Sequence, residues 1–299
     1  MNRGALLALS AYMFWGLHPV YWKLLKHVPA TQILTHRIIW SLVFFMIINS
    51  TRRSWGPLFH KIRTFPRKWI IFTPALLIGA NWGMYIWSVN ANYVLEVSLG
   101  YFISPLLIVF LGVFVLHEKL RKFQWTAIVV AACGMLYLTF VYGHIPWIAL
   151  FLAGTWGFYG LLRKKSPLNS VEGLTIEVMF MMIPAAFYLA YLLITGQSQF
   201  LQDTPTSLLL MGTGLVSGIP LIVFIAGARQ ASLTTIGILQ YVYPTNIFLL
   251  GVFGFHEPLD TTRLTGFILI WTALLIYTIE STLYFRSKLS LNKSILAQK

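Results

Sequence analysis

Charged and amide side chains inside long apolar runs are the residues of this chain most able to do chemistry, because each is costly in hydrocarbon and is by default a functional hypothesis. Arg37 lies about one to two turns inside an apolar segment, and Glu177 lies at a comparable depth in another. Glu96 opens a third apolar segment and is the expected partner of Arg37, either as a structural ion pair or as part of a gate that docks a charged solute. Glu96, Glu177, His18 and His36 are the candidates for carrying protons, since burial can bring a carboxyl group toward neutrality. Each has the alternative of being a hydrogen-bonded packing residue.

A second group is polar and aromatic. Asn81, Trp82, Trp87 and Asn90 fall in one apolar segment, and Trp15, Tyr101, Tyr159, Gln240 and Tyr241 fall in others. Aromatic rings with a few amides and hydroxyls suit an amphipathic or aromatic solute. Trp and Tyr also form the belts at membrane interfaces, the role expected of Trp22, Trp69 and Trp147. Pro105 and Pro244 sit inside apolar segments, where each removes a backbone hydrogen bond and kinks its helix, and Pro184 and Pro220 act likewise. Gly79, Gly83, Gly112 and Gly251 allow close helix approach.

The elements that must hold these residues are membrane spans. Of 299 residues 58% are hydrophobic and 10% charged, where soluble domains carry about 25% charged residues. Many apolar runs reach the roughly 20 residues needed to cross a bilayer. We read ten spans, near 4–24, 33–50, 69–89, 95–116, 123–142, 146–163, 173–195, 206–228, 234–255 and 263–285, followed by a polar, basic and mobile tail, 286–299. The first run is too long for the apolar core of a cleaved signal peptide.

The net charge of +14 would suggest nucleic acid in a soluble protein, but the basic residues stand in short loops between apolar runs, as topology signals do. With the N-terminus in the cytoplasm, 18 of the 22 Lys and Arg fall inside and only Lys23, Lys26 and Arg263 outside, with Arg37 in a span. Both termini are therefore expected inside.

The chain is also doubled. Residues 105–120, PLLIVFLGVFVLHEKL, return 139 positions later as PTNIFLLGVFGFHEPL, with nine of sixteen positions identical, among them the Pro, Gly and His-Glu. Trp15-Gly16 matches Trp156-Gly157 at an offset of 141, and Leu34-Thr35 matches Leu174-Thr175 at 140. Each unit thus holds five spans, in residues 1–143 and 144–285. Five is odd, so the second unit enters the membrane from the opposite side, with His117-Glu118 inside and His256-Glu257 outside. The fold class expected is an all-α membrane protein of ten helices in two inverted repeats, a frequent architecture of secondary transporters that places the substrate near the midplane between halves. The alignment pairs Arg37 with Glu177, and inversion separates them.

Other classes find little support. There is no GxxxxGK[ST] for ATP, no HExxH, and no acidic pair for a metal-diphosphate enzyme. The lone Cys133 excludes an intrachain disulfide or a CxxC site. No cofactor is expected. The expected partners are a small-molecule substrate and membrane lipid. A non-transporting membrane receptor or assembly protein, and an enzyme on lipid substrates, are the alternatives.

The segments Ile33-Leu34-Thr35-His36-Arg37, Asn81-Trp82, Trp87-Ser88-Val89-Asn90, Glu96 to Pro105 (EVSLGYFISP) and Gln240-Tyr241 with Pro244 closely resemble RarD-like permeases of the EamA family, in the drug/metabolite transporter superfamily. The resemblance runs from about Gly4 to about Tyr284. It implies a bacterial inner-membrane permease of ten helices in two repeats, a group associated with chloramphenicol sensitivity and with relatives that export metabolites. Ser104 departs from the Asn that relatives often carry before the proline, which loosens any inferred substrate preference.

Overall fold

The computed structural model describes residues 3–91, 93–143, 145–254 and 261–297. These contain no strand; they form thirteen α-helices and one π-helical turn. Helices α1 (Arg3–Gly16) and α2 (His18–Leu24) make one broken rod. Pro19 is the cause: it offers no N–H to the Trp15 carbonyl, so the first helix stops and a second begins with proline in its first turn. Next come α3 (Ala30–Thr51), the short α4 (Trp55–Thr64), α5 (Trp69–Asn90), α6 (Val94–Val115) and α7 (Lys122–Tyr142). The second half runs α8 (Trp147–Lys165), α9 (Ser170–Ile194), α10 (Thr204–Gln230), α11 (Leu233–Gln240), α12 (Val242–Leu249) with the π turn Leu250–Gly254, and α13 (Thr261–Ala297).

Six of these segments are long and apolar enough to cross a membrane: Ala30–Thr51, Trp69–Ser88, Lys122–Phe140, Ser170–Ile194, Thr204–Gln230 and the broken Leu233–Gly254. The protein is an all-α, multi-pass membrane protein. Two details depart from the sequence reading. Residues 55–64, expected as a basic loop, form α4, because Leu58 packs under Ile71, Leu168 and Ile176 while Lys61 reaches Glu172 at 2.7 Å. The basic segment 286–297, expected as a mobile tail, continues α13 as helical backbone.

The main core joins both halves: Tyr12, Phe45, Ile78, Ile108, Tyr159 and Phe224 belong to one buried cluster. Small residues set how closely the helices approach. A Cβ at Gly227 of α10 would fall 2.7 Å from the Ala8 backbone nitrogen of α1, so only glycine fits there. The packing has an internal regularity. Helix α6 lies on α8, and α11 and α12 lie on α1; α1 lies on α10, and α8 on α5; α3 lies on α10, and α9 on α5. Helices α3 and α9, α6 and α11, and α7 and α13 pack on each other. Exchanging each first-half helix for its repeat counterpart therefore turns every one of these packings into another of the set or into itself.

Candidate functional site

The Arg37 side chain reaches inward from the second turn of α3, with its guanidinium carbon 3.7 Å from the ring centroid of Trp82 on α5. One turn on from Trp82, Tyr85 shares the same helix face. Tyr85, Tyr101 of α6 and Tyr243 of α12 lie within electrostatic reach of the guanidinium, and the Tyr101 and Tyr243 rings meet edge to face at 5.0 Å. His18 of α2 completes the surround. Its Nε2 donates to the Val216 carbonyl at 3.1 Å, the acceptor that Pro220 leaves without a helical donor four residues on. Helices from both halves thus enclose Arg37. The site is not sealed: Arg37, Trp82, Tyr101 and Tyr243 are partly exposed, and Tyr85 is 41% exposed.

Arg37 makes no ion pair and no hydrogen bond among the described residues, and its Nε is buried without a partner. A cation–π contact contributes about 0.5–2 kcal/mol. Withdrawing a cation from water costs several kcal/mol, so the ring of Trp82 alone does not offset the burial. The arrangement sets a cation on an aromatic floor with three phenols around it.

Glu96 is not that anion. It is 1% exposed, and its Oε2 accepts from the Ile148 backbone N–H at 3.0 Å. Pro146 at the start of α8 has no capping side chain, and Glu96 supplies the missing acceptor from α6. Glu177 lies in a separate cluster. Tyr159 donates to its Oε2 at 3.0 Å, and Arg163 Nε stands 3.4 Å from its Oε1; Arg163 and Glu177 are 2% and 1% exposed. Arg163 also donates from Nη2 to the carbonyls of Asn169 and Ser170, at 3.2 Å each. Its guanidinium occupies the space above Gly173 that any Cβ would need. The sequence assigned Arg163 to a cytoplasmic basic loop; Gly173 on the next helix makes room for it inside.

Between these clusters lies an aromatic seam. Trp15 and Trp156, counterparts in the repeat, meet edge to face at 5.7 Å. Trp156 stacks on Tyr159 at 5.5 Å and donates from Nε1 to the Gln240 side-chain oxygen at 3.3 Å. The other named residues do local work. Asn81 donates to the Leu152 carbonyl and to Thr155 Oγ1, tying α5 to α8. Tyr241 donates to the Phe102 carbonyl and packs in a separate cluster with Phe267. His36 is buried at 4.8 Å from the Phe200 ring, facing away from the Arg37 set. Trp87 is 47% exposed, beside Tyr93 and Trp147, in the manner of an interface belt. The Asn90 side chain and His256-Glu257 lie outside the described residues. Pro244 follows the break between α11 and α12, and the Pro105 carbonyl lies against Gly237. Sequence reasoning missed Tyr85, Tyr243 and Arg163. The spacing of Tyr85 from Trp82 was a usable signal, whereas the burial of Arg163 was not visible locally.

At the opposite end of the seam Glu118 closes the structure. It accepts from the Leu233 and Thr234 N–H groups at 2.7 and 2.9 Å and from Thr234 Oγ1 at 2.8 Å, capping α11. Lys164 hydrogen-bonds the Ala231 carbonyl and lies 3.9 Å from Glu118. The left-handed backbone of His117, φ 54°, turns the chain so that Glu118 faces back. A cavity of about 350 Å³ lies beside this closure, lined by Glu118, Arg121, Thr234 and Tyr277 among others. A second, apolar cavity of about 450 Å³ lies among Ile103, Met135, Phe140 and Ile145. Neither is lined by Arg37. Among the described residues no three His, Cys, Asp or Glu side chains converge as a metal site.

Comparison with known proteins agrees with this architecture. The EamA-like transporter family matches residues 2–140. Protein RarD of Escherichia coli is 41% identical over 282 residues, covering 94% of this chain and 95% of its own. A protein of Vibrio cholerae described as an uncharacterized transporter is 42% identical over 281 residues, 93% of each chain. A solved crystal structure only 17% identical shares the fold, with a TM-score of 0.69 over 93% of this chain and 98% of its own. The chain belongs to the EamA-like transporter family, among its RarD-like members.

Proposed function

We propose that the protein is a secondary transporter of small metabolites or drugs in the bacterial inner membrane, working by alternating access between two five-span halves of opposite orientation. The observation that carries this reading is the regularity of the packing: the repeat alignment, made from sequence, maps the most extensive helix packings onto one another, while the smaller packings of α10 on α8 and α9 and of α5 on α6 fall outside the pattern. Two units related in that way surround an approximate two-fold axis, and counterpart residues near the axis meet, as Trp15 and Trp156 do. Because each unit has an odd number of spans, such an axis lies in the membrane plane and the units are inverted. The bias of Lys and Arg supports both termini in the cytoplasm.

Inversion supplies the mechanism. Each half adopts one of two shapes, and exchanging the shapes turns an opening on one side into an opening on the other. The present conformation suits an outward-facing state: Glu118 and Lys164 close the cytoplasmic end, and the Arg37 set is partly exposed toward the other. The solute would lie between halves, beside Arg37, Trp82, Tyr101 and Tyr243, with Trp15, Trp156 and Gln240 as the barrier below it. Export is the direction we assign. Reconstitution into proteoliposomes tests this. Saturable, protein-dependent flux of a member of a broad metabolite and drug panel is expected, and no flux across the panel contradicts it.

A further inference from the structure

We infer that Arg37 and the aromatic side chains around it bind the carboxylate of an aromatic organic acid, so that the transported solute is an anion with an aromatic or otherwise flat apolar body. This rests on the transport reading and narrows it to a substrate class.

The two halves provide an internal comparison. At the offset of 140 that pairs Leu34-Thr35 with Leu174-Thr175, Arg37 corresponds to Glu177; at the offset of 141 that pairs Trp15 with Trp156, His18 corresponds to Tyr159 and Trp22 to Arg163. In the second half the buried charge has an opposite charge within the protein: Glu177 faces Arg163 at 3.4 Å, an ion pair without a hydrogen bond between Arg163 Nε and Glu177 Oε1, and Glu177 takes a hydrogen bond from Tyr159. In the first half the corresponding position of Arg163 holds Trp22, which carries no charge and packs on His18 at 5.4 Å. Arg37 is therefore the member of the pair whose counter-ion the fold does not supply. The nearest acid by sequence, Glu96, is committed to the Ile148 N–H.

The surroundings select the rest of the ligand. A guanidinium presents a planar fork of N–H donors that matches a carboxylate. Its buried Nε has no partner, while partial exposure of the residue leaves the site within reach of a solute. Trp82 fixes the plane of the cation from below, and Tyr85, Tyr101 and Tyr243 offer edges and faces for an aromatic body and hydroxyls for its polar groups. A cationic solute would meet Arg37 without a shielding acid, and a neutral one would leave the guanidinium unpaired.

Two arms test the inference on the full-length protein in detergent. Equilibrium dialysis against radiolabelled indole-3-acetate, with protein-free micelles as the blank, uses unlabelled indole-3-acetate and indole-3-acetamide as competitors. The acid is expected to compete at least about 10-fold better than the amide, the scale of one lost charge-assisted hydrogen bond. Arg37→Gln should shrink that preference to less than about 2-fold, and Arg37→Lys should keep part of it. Equal competition by acid and amide, an unchanged preference in Arg37→Gln, or no saturable binding of the acid overturns the inference. The second arm needs no ligand. A structural Arg37 would cost stability when neutralised, whereas an unanswered cation would not, so ligand-free Arg37→Gln should melt no lower than the wild type. A fall of more than about 4 °C contradicts the inference. Flux that prefers neutral solutes would overturn this substrate class and leave the transporter standing. Selective acid binding without flux would do the reverse.

Discussion

Charges inside this protein are treated in two ways, and the difference is measurable at single residues. Glu177 and Arg163 are buried together, so removing one partner strands the other. Glu177→Gln should lower stability by about 3 kcal/mol, and the double variant Glu177→Gln with Arg163→Met should recover most of it. Thermal melts of purified protein check this; equal losses in single and double variants would show that the two residues do not act as a pair. Residue types were legible in the sequence, which named Arg37, Trp82, Tyr101, Tyr159 and Glu177. Partners were less so. Depth along a span can be counted, but the direction a side chain takes depends on which helices adjoin. Glu96 stood at the right depth for Arg37 and belongs instead to the start of α8.

Helix ends and breaks follow from local chemistry that the sequence displays. Asn169 and Glu172 form a reciprocal cap at the start of α9, and Asp203 caps α10 by accepting from the Thr206 N–H at 2.8 Å. That hydrogen bond, from the Thr206 backbone, holds the Asp203 carboxyl below its ordinary value. A carboxyl depressed in the folded state contributes stability above its unfolded pKa, and the contribution is lost as pH falls through the folded one. Wild-type stability should therefore drop between about pH 4 and the lower folded value, and Asp203→Asn, which caps without titrating, should remove this part of the pH dependence. Melting temperatures of both proteins at a series of acidic pH values check it; parallel curves would count against the cap. The break after Gln240 falls at Pro244, named from the sequence as a kink, whereas the break at Pro19 was not foreseen and α6, α9 and α10 run on through Pro105, Pro184 and Pro220. Two features of this scale were not legible. Helix α4 depends on an apolar contact between Leu58 and distant Leu168 and Ile176, and the continuation of α13 carries no apolar signature.

For the molecule as a whole, the repeat was the most informative sequence feature, because identity in Pro, Gly and His-Glu cannot come from apolar bias alone. It pairs residues of the two halves, and the contact between Trp15 and Trp156 joins one such pair. It could not foretell which end is closed. Glu118 reaches from the end of the first-half helix α6 to the start of the second-half helix α11, so it acts as a clasp between halves. Glu118→Ala should loosen that end and, if the halves alternate, close off the Arg37 cluster at the other. Alternation of access is the claim on which the rest depends, and site-directed labelling tests it without a known substrate. In a Cys133→Ala background, Tyr85→Cys should react readily with a membrane-impermeant maleimide from one side, and buried Ala5→Cys slowly from the other. Adding Glu118→Ala should slow labelling at position 85 and speed it at position 5. Rates that rise or fall together, or a change at one end alone, would contradict alternating access.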